Sequence, residues 1–188
     1  MRCALCVAVL CGLVALAAPA RAVLLDLGAS DLGGNALDFA VLDGGVLAID
    51  PDFVTATPMR IVLAPEFGDP VPLVWNALVD NLTGELWSAF SITVEAAALG
   101  IGSAKANAGA VAAIVPLPAG ARIELDPGEP AGLDLGAVFG AGTDWTLTAL
   151  AGAPLAPIAL TFTPVAVPEP VSLVLLGCGL AALASHRR

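Results

Sequence analysis

The chain has 188 residues, of which 58% are apolar, and its seven basic and seventeen acidic side chains leave a net charge of −10. An acidic balance of this size argues against recognition of nucleic acid or of an anionic membrane surface, since a phosphate-binding face needs clustered Lys and Arg. The single histidine, His186, and the four cysteines, Cys3, Cys6, Cys11 and Cys178, all lie in the apolar ends. Everything between them therefore lacks a disulfide framework, a thiolate or imidazole metal site, a cysteine nucleophile and a Ser-His-Asp triad.

In chain order, the first element is an export signal over residues 1–22. Arg2 supplies a positive start, Cys3 to Ala18 is an almost unbroken apolar run, and two small-x-small sites follow, Ala18-Pro19-Ala20 and Ala20-Arg21-Ala22. The favoured cleavage point follows Ala22, with Ala20 and Ala22 as the small residues the peptidase reads. Neither Cys6 nor Cys11 follows the small residue that a lipoprotein site requires. Signal peptidase and the general secretion machinery are the implied partners at this end. Without the two ends, residues 23–170 hold three basic residues (Arg60, Lys105, Arg122) against seventeen acidic ones, a net charge of −14.

Residues 23–165 form one domain, long enough to bury a core. Short apolar runs cut by Gly, Pro, Asp and Asn follow one another: residues 23–27, 37–42, 46–49, 60–63, 71–79, 86–95, 110–115, 122–125, 145–150 and 158–162. Period-two alternation is clearest late in the chain. There Trp145, Leu147 and Ala149 oppose Thr146 and Thr148, while Ile158, Leu160 and Phe162 oppose Ala159, Thr161 and Thr163. The fold expected is all-β, an antiparallel β-sandwich of about 8–10 strands. It would be flanked by an N-terminal signal helix and a short C-terminal transmembrane helix. Asp43-Gly44-Gly45 is expected to turn one hairpin, with glycine supplying positive φ. Asn81-Leu82-Thr83-Gly84 is expected to turn a second, central hairpin over residues 71–95. The Ala- and Gly-rich stretch 95–113 admits two readings, a short helix over Glu95–Leu99 or a strand broken at Gly100-Ile101-Gly102-Ser103.

Chemistry in this domain rests on carboxylates, because no tyrosine, phosphate-binding glycine loop or Walker lysine is present. Glu85 with Glu95, or Asp50 with Asp52, would have to supply the pair that a glycosidase needs, in a cleft and about 5–10 Å apart. For a hard cation, the oxygen ligands on offer are Asp31, Asp38, Asp50 and Asp52, with Asn35 and Asp43 beside them. The stretch Gly33 to Phe39 matches a calcium-binding β-helix repeat only once and with Ala36 where glycine is needed, which rules out that fold. Turn and strand-end aspartates account for the same residues, so no metal or other cofactor is assigned. Trp75, Trp87 and Trp145 could stack on sugars, but their alternating apolar strands point to packing.

The chain closes on Val167-Pro168-Glu169-Pro170, a 14-residue apolar run over 171–184 containing Ser172 as its only hydroxyl, and a basic end, His186-Arg187-Arg188. Pro168 and Pro170 hold the junction extended, Pro170 is suited to open a helix, and Glu169 favours that helix's N-terminus. Fourteen helical residues span roughly 21 Å, short of the ~30 Å hydrocarbon core, which suits temporary anchoring. Arg187 and Arg188 would hold the end in the cytoplasm. In the order of triplet, helix and basic cap, residues 166–188 closely resemble the PEP-CTERM sorting signal of exported Gram-negative bacterial proteins. The resemblance implies recognition by an exosortase, a membrane-embedded processing enzyme, and passage through the inner membrane to the cell surface or extracellular space. It also implies a setting in which exopolysaccharide is a further partner. The function expected is a non-enzymatic structural or interaction role at the cell surface or in extracellular matrix. The alternative is a carbohydrate- or calcium-binding surface module, and the third is a carboxylate-dependent hydrolase.

Overall fold

The computed structural model describes residues 23–41, 46–65, 72–150 and 156–167. The signal segment, the loop at Asp43-Gly44-Gly45 and the tail from Pro168 onward lie outside the described residues.

Among the described residues there are thirteen strands and no helix: β1 (Val23–Leu25), β2 (Ala36–Val41), β3 (Val46–Phe53), β4 (Met59–Pro65), β5 (Leu73–Asn81), β6 (Trp87–Glu95), β7 (Ala97–Gly100), β8 (Ala104–Ala106), β9 (Ala110–Leu117), β10 (Gly120–Glu129), β11 (Gly132–Leu135), β12 (Trp145–Ala149) and β13 (Ile158–Ala166). They form two sheets. The first runs β1-β4-β13-β6-β10-β9 and is antiparallel throughout. The second runs β2-β3-β5-β11-β8, with β12 on β5 and β7 on β12.

The expected strand count falls short because two long strands of the second sheet are broken. β11 pairs with the later half of β5 (Leu135 opposite Ala77) and β12 with its start (Trp145 opposite Trp75), so the two lie end to end along one neighbour. β8 and β7 repeat the break one position further out. The interrupted strand was therefore the correct reading of residues 95–113. Ser103 ties both breaks: its hydroxyl meets the carbonyls of Gly136 and Thr143 and accepts the Thr143 N–H, while its carbonyl accepts Trp145 Nε1 at 2.9 Å.

Two further expectations change. β3 and β5 are parallel, because β4 between them belongs to the other sheet and the chain must cross the core twice. For the same reason residues 71–95 are not a hairpin. β5 and β6 belong to different sheets, and Asn81-Leu82-Thr83-Gly84 is an arch over the edge of the core. Alternation alone cannot separate these cases, since both strands bury one face whether they pair with or face each other.

That core is aromatic. Trp75, Trp145 and Phe53 from the second sheet meet Trp87, Phe90 and Phe162 from the first, all fully buried. Ring centroids lie 5.7 Å apart for Trp75–Trp145, 6.0 Å for Trp75–Phe162, 6.1 Å for Phe90–Phe162 and 5.5 Å for Phe53–Trp87. One chain of rings thus binds the sheets together, and truncating any one of these side chains to Ala is expected to cost about 3–5 kcal/mol. The indole N–H groups of Trp75 and Trp87 have no acceptor among the described residues. At about 1–3 kcal/mol each, that cost is smaller than what their burial contributes.

Candidate functional site

Chemistry in this domain would rest on its carboxylates, and two settings among the described ones stand out, one inside the fold and one on a sheet face. The first is inside. Glu129 ends β10 and is fully buried. Its carboxylate accepts four backbone N–H groups: Ala108 at 2.9 Å, Gly109 at 2.7 Å, Ala131 at 2.7 Å and Gly132 at 3.1 Å. Residues 107–109 carry the chain from the second sheet to the first, and residues 130–131 carry it back. One side chain therefore fastens two crossovers.

Asn81 fastens the third. Its Nδ2 donates to the carbonyls of Glu85 (2.8 Å) and Glu129 (3.1 Å), and its Oδ1 accepts the N–H and hydroxyl of Thr83. Glycine is required at two donors of this knot. A Cβ on Gly132, whose φ is +135°, would lie 2.0 Å from the Val79 carbonyl, and one on Gly109 would lie 2.7 Å from that of Gly128. Burial is the largest single influence on Glu129 and raises its pKa, but the four N–H donors together outweigh it and hold the carboxyl below its usual value. The group is ionised, enclosed and fully engaged, and so it is a structural anion with no lone pair left for chemistry. Nothing in the local sequence Gly128-Glu129-Pro130 distinguishes it from a surface turn, and the sequence reading missed it.

The second place is the outer face of the second sheet. Even-numbered residues of β2, β3 and β5 point away from the core, and the register sets Asp38 opposite Asp50 and Asp52 opposite Asp80. Like charges directly opposed on one face destabilise a sheet. Asp50 and Asp52 are both raised in pKa, first by partial burial; neighbouring aspartates then add to it, Asp38, Asp52 and Asp80 for Asp50, and Asp80 and Asp38 for Asp52. The Leu78 N–H acts against this on Asp50.

That last contact explains why Asp50 is where it is. Pro51 stands inside β3 and brings no N–H, and β3 and β5 are unpaired between Ala48 and Asp52 although the register is the same on both sides. Asp50 Oδ1 accepts the Leu78 N–H at 2.7 Å, giving that donor a partner within the unpaired stretch. The Asp-Pro pair within a strand was the signal available for this role.

The cation candidates are thus only partly united. Asp38, Asp50 and Asp52 share a face with Asp80, whereas Asp31 stands apart, its backbone bridged to Arg60 and its carboxylate accepting the Gly33 N–H at 3.0 Å. Among the described residues no group of His, Cys, Asp or Glu is arranged to hold a metal ion. The hydrolase pairs fare no better. Glu85 precedes β6 and Glu95 ends it, and the eight steps of strand from Trp87 to Glu95 alone measure about 26 Å. Asp50 is tied into the ladder. With Trp75, Trp87 and Trp145 in the core, none of the three presents a ring to a sugar.

Of the sorting residues, Pro168, Glu169, Pro170, Arg187 and Arg188 lie outside the described residues, as do Ala20 and Ala22. The description ends at Val167, whose N–H donates to the Leu86 carbonyl at 2.7 Å. The chain therefore leaves the domain beside the Glu129 and Asn81 knot. Compared with protein-family models, with curated proteins and with solved structures, the chain finds no match.

Proposed function

We propose that this chain is an exported protein of the cell surface or extracellular matrix, sorted through its tail by an exosortase-type enzyme, and that its domain has a structural or interaction role without catalysis. The observation that carries the proposal is the tail itself: Pro168-Glu169-Pro170, an uncharged run over 171–184 and a basic end, behind a domain free of cysteine and histidine. The fate of the carboxylates supports the non-catalytic part. Glu129 is consumed by four backbone donors and Asp50 by the β3–β5 ladder, which are structural tasks.

Mass spectrometry of the terminal peptides, on protein recovered by fraction from its own cells, tests the sorting. Loss of both ends, with the C-terminal break near 168–170, is the expected result. An intact C-terminus in the membrane fraction would overturn it. Replacing Pro168-Glu169-Pro170 with alanines is expected to block tail removal while the domain stays folded.

A further inference from the structure

Among the described residues the sandwich has four strand edges, and three are blunted. β1 is only three residues long, β2 carries Asp38, and the β7–β8 edge is broken at residues 101–103 and carries Lys105. β9 differs. It is an eight-residue edge strand, Ala-Val-Ala-Ala-Ile-Val-Pro-Leu, paired among the described residues on one side only, to β10. No charged residue occurs anywhere in 106–121. Six of its eight residues are exposed, with Val115 at 41% and Leu117 at 38%. An uncharged apolar edge of this length is a template for another strand.

We propose that β9 pairs with β9 of a second copy, antiparallel about a two-fold axis, joining the two six-stranded sheets into one. Charge placement selects this occupant. The opposed aspartates Asp38, Asp50, Asp52 and Asp80 sit on β2, β3 and β5, whereas β8 is the strand that packs beside β9. Of the charges nearest the β9 edge, Lys105 lies by Asp134 and Arg122 pairs with Glu124, while Asp126 stands opposite Ala110, at the first residue of the strand. Two strongly acidic domains can approach through this edge while the four opposed aspartates stay on the other sheet, away from the contact. A two-fold strand pair sets residue i against residue j of the other copy and j against i, so a charge near the axis lies close to its own copy, a repulsion that an uncharged strand does not meet. The contact is short. Ala112 is an extra residue in the β9–β10 register and Pro116 lacks an N–H, so the flat stretch is Ala113 to Val115. Assembly through this edge goes beyond the sorting proposal and does not depend on it.

The test is sedimentation of the full chain in mild non-ionic detergent, with Ala113→Lys and Ala40→Lys. Ala113 is exposed and opposite Glu124, so a lysine there gains a cross-strand partner in the single copy and introduces like charges between copies. Ala40→Lys places the same charge on the exposed β2 edge. Twice the monomer mass for the parent and for Ala40→Lys, with half that mass for Ala113→Lys and unchanged far-ultraviolet dichroism, is the expected pattern. A monomeric parent at its highest soluble concentration overturns the proposal, as does a dimer that survives Ala113→Lys or one that Ala40→Lys also dissociates. If Ala113→Lys does not fold, Ala112→Lys at the unpaired bulge residue carries the same test.

Discussion

Glu129 and the Asp38–Asp50–Asp52–Asp80 group bring the same chemical function to the domain under opposite conditions. Glu129 is alone, buried and surrounded by donors; the four aspartates are together, half in solvent and short of donors. The buried anion stabilises because four N–H groups that two chain segments would otherwise strand are satisfied at once. The outer group destabilises because its members face one another across strands, and only Asp50 does structural work. Donor supply, more than burial, sets the sign of a carboxylate's contribution here.

The sharpest way to break this contrast is Glu129→Ala, which leaves backbone donors from both crossovers without an acceptor. It is expected to lower stability by about 3–4 kcal/mol in urea unfolding, and Glu129→Gln by about half of that. A loss under 1 kcal/mol for Glu129→Ala would mean that solvent reaches the knot. Asn81→Ala, which removes the arch's own ties at the same place, is expected to cost about 2 kcal/mol.

On the outer face the expected effects are smaller and change sign with the substitution. Asp52→Asn and Asp80→Asn each relieve repulsion and are expected to stabilise by about 0.3–1 kcal/mol at neutral pH. Asp50→Asn keeps an acceptor for Leu78 and belongs with them, whereas Asp50→Ala orphans that N–H and is expected to cost about 1 kcal/mol. If Asp50→Ala stabilised the protein, the ladder role of Asp50 would be wrong.

The two regions also respond to pH in opposite senses. Asp50 and Asp52 have folded pKa values above their unfolded ones, so their favourable contribution is full below the ordinary aspartate range and fades as pH rises through the raised values. Glu129 is lowered, so its contribution is full above the ordinary glutamate range and fades as pH falls through the lowered value. Stability is therefore expected to peak at mildly acidic pH. Melting curves against pH check this: Asp50→Asn with Asp52→Asn should flatten the alkaline limb and Glu129→Gln the acid one. The smallest effect expected is that of calcium. With no ion-holding group among the described residues, Ca²⁺ at matched ionic strength should shift the melting temperature no further than Na⁺ does.

Much of the β content was legible because its signals are local. Trp145-Thr146-Leu147-Thr148 and Ile158 to Phe162 alternate as strands must, and both lie in strands with their large residues buried. The Asn81 turn was legible because an Asn-x-Thr side chain closes on its own neighbours. β11 was missed since Gly132-Leu133-Asp134-Leu135 is too short to show a period, and it exists because β5 offers it a free edge. The arch over residues 81–86 was taken for a hairpin because the choice between pairing and facing is made by strands distant in sequence.

What the sequence determined alone is what depends on composition and short range: the acidic, thiol-free β domain, its turn chemistry and the order of triplet, apolar run and basic cap in the tail. What tertiary structure decided is which sheet each strand joins, that Asp50 gives the Leu78 N–H a partner, and that Glu129 is an internal anion. Those outcomes need groups from residues 81, 108–109 and 129–132 to meet at hydrogen-bond distance. Such a meeting is set by how two sheets cross over, and no period or spacing along the chain records it.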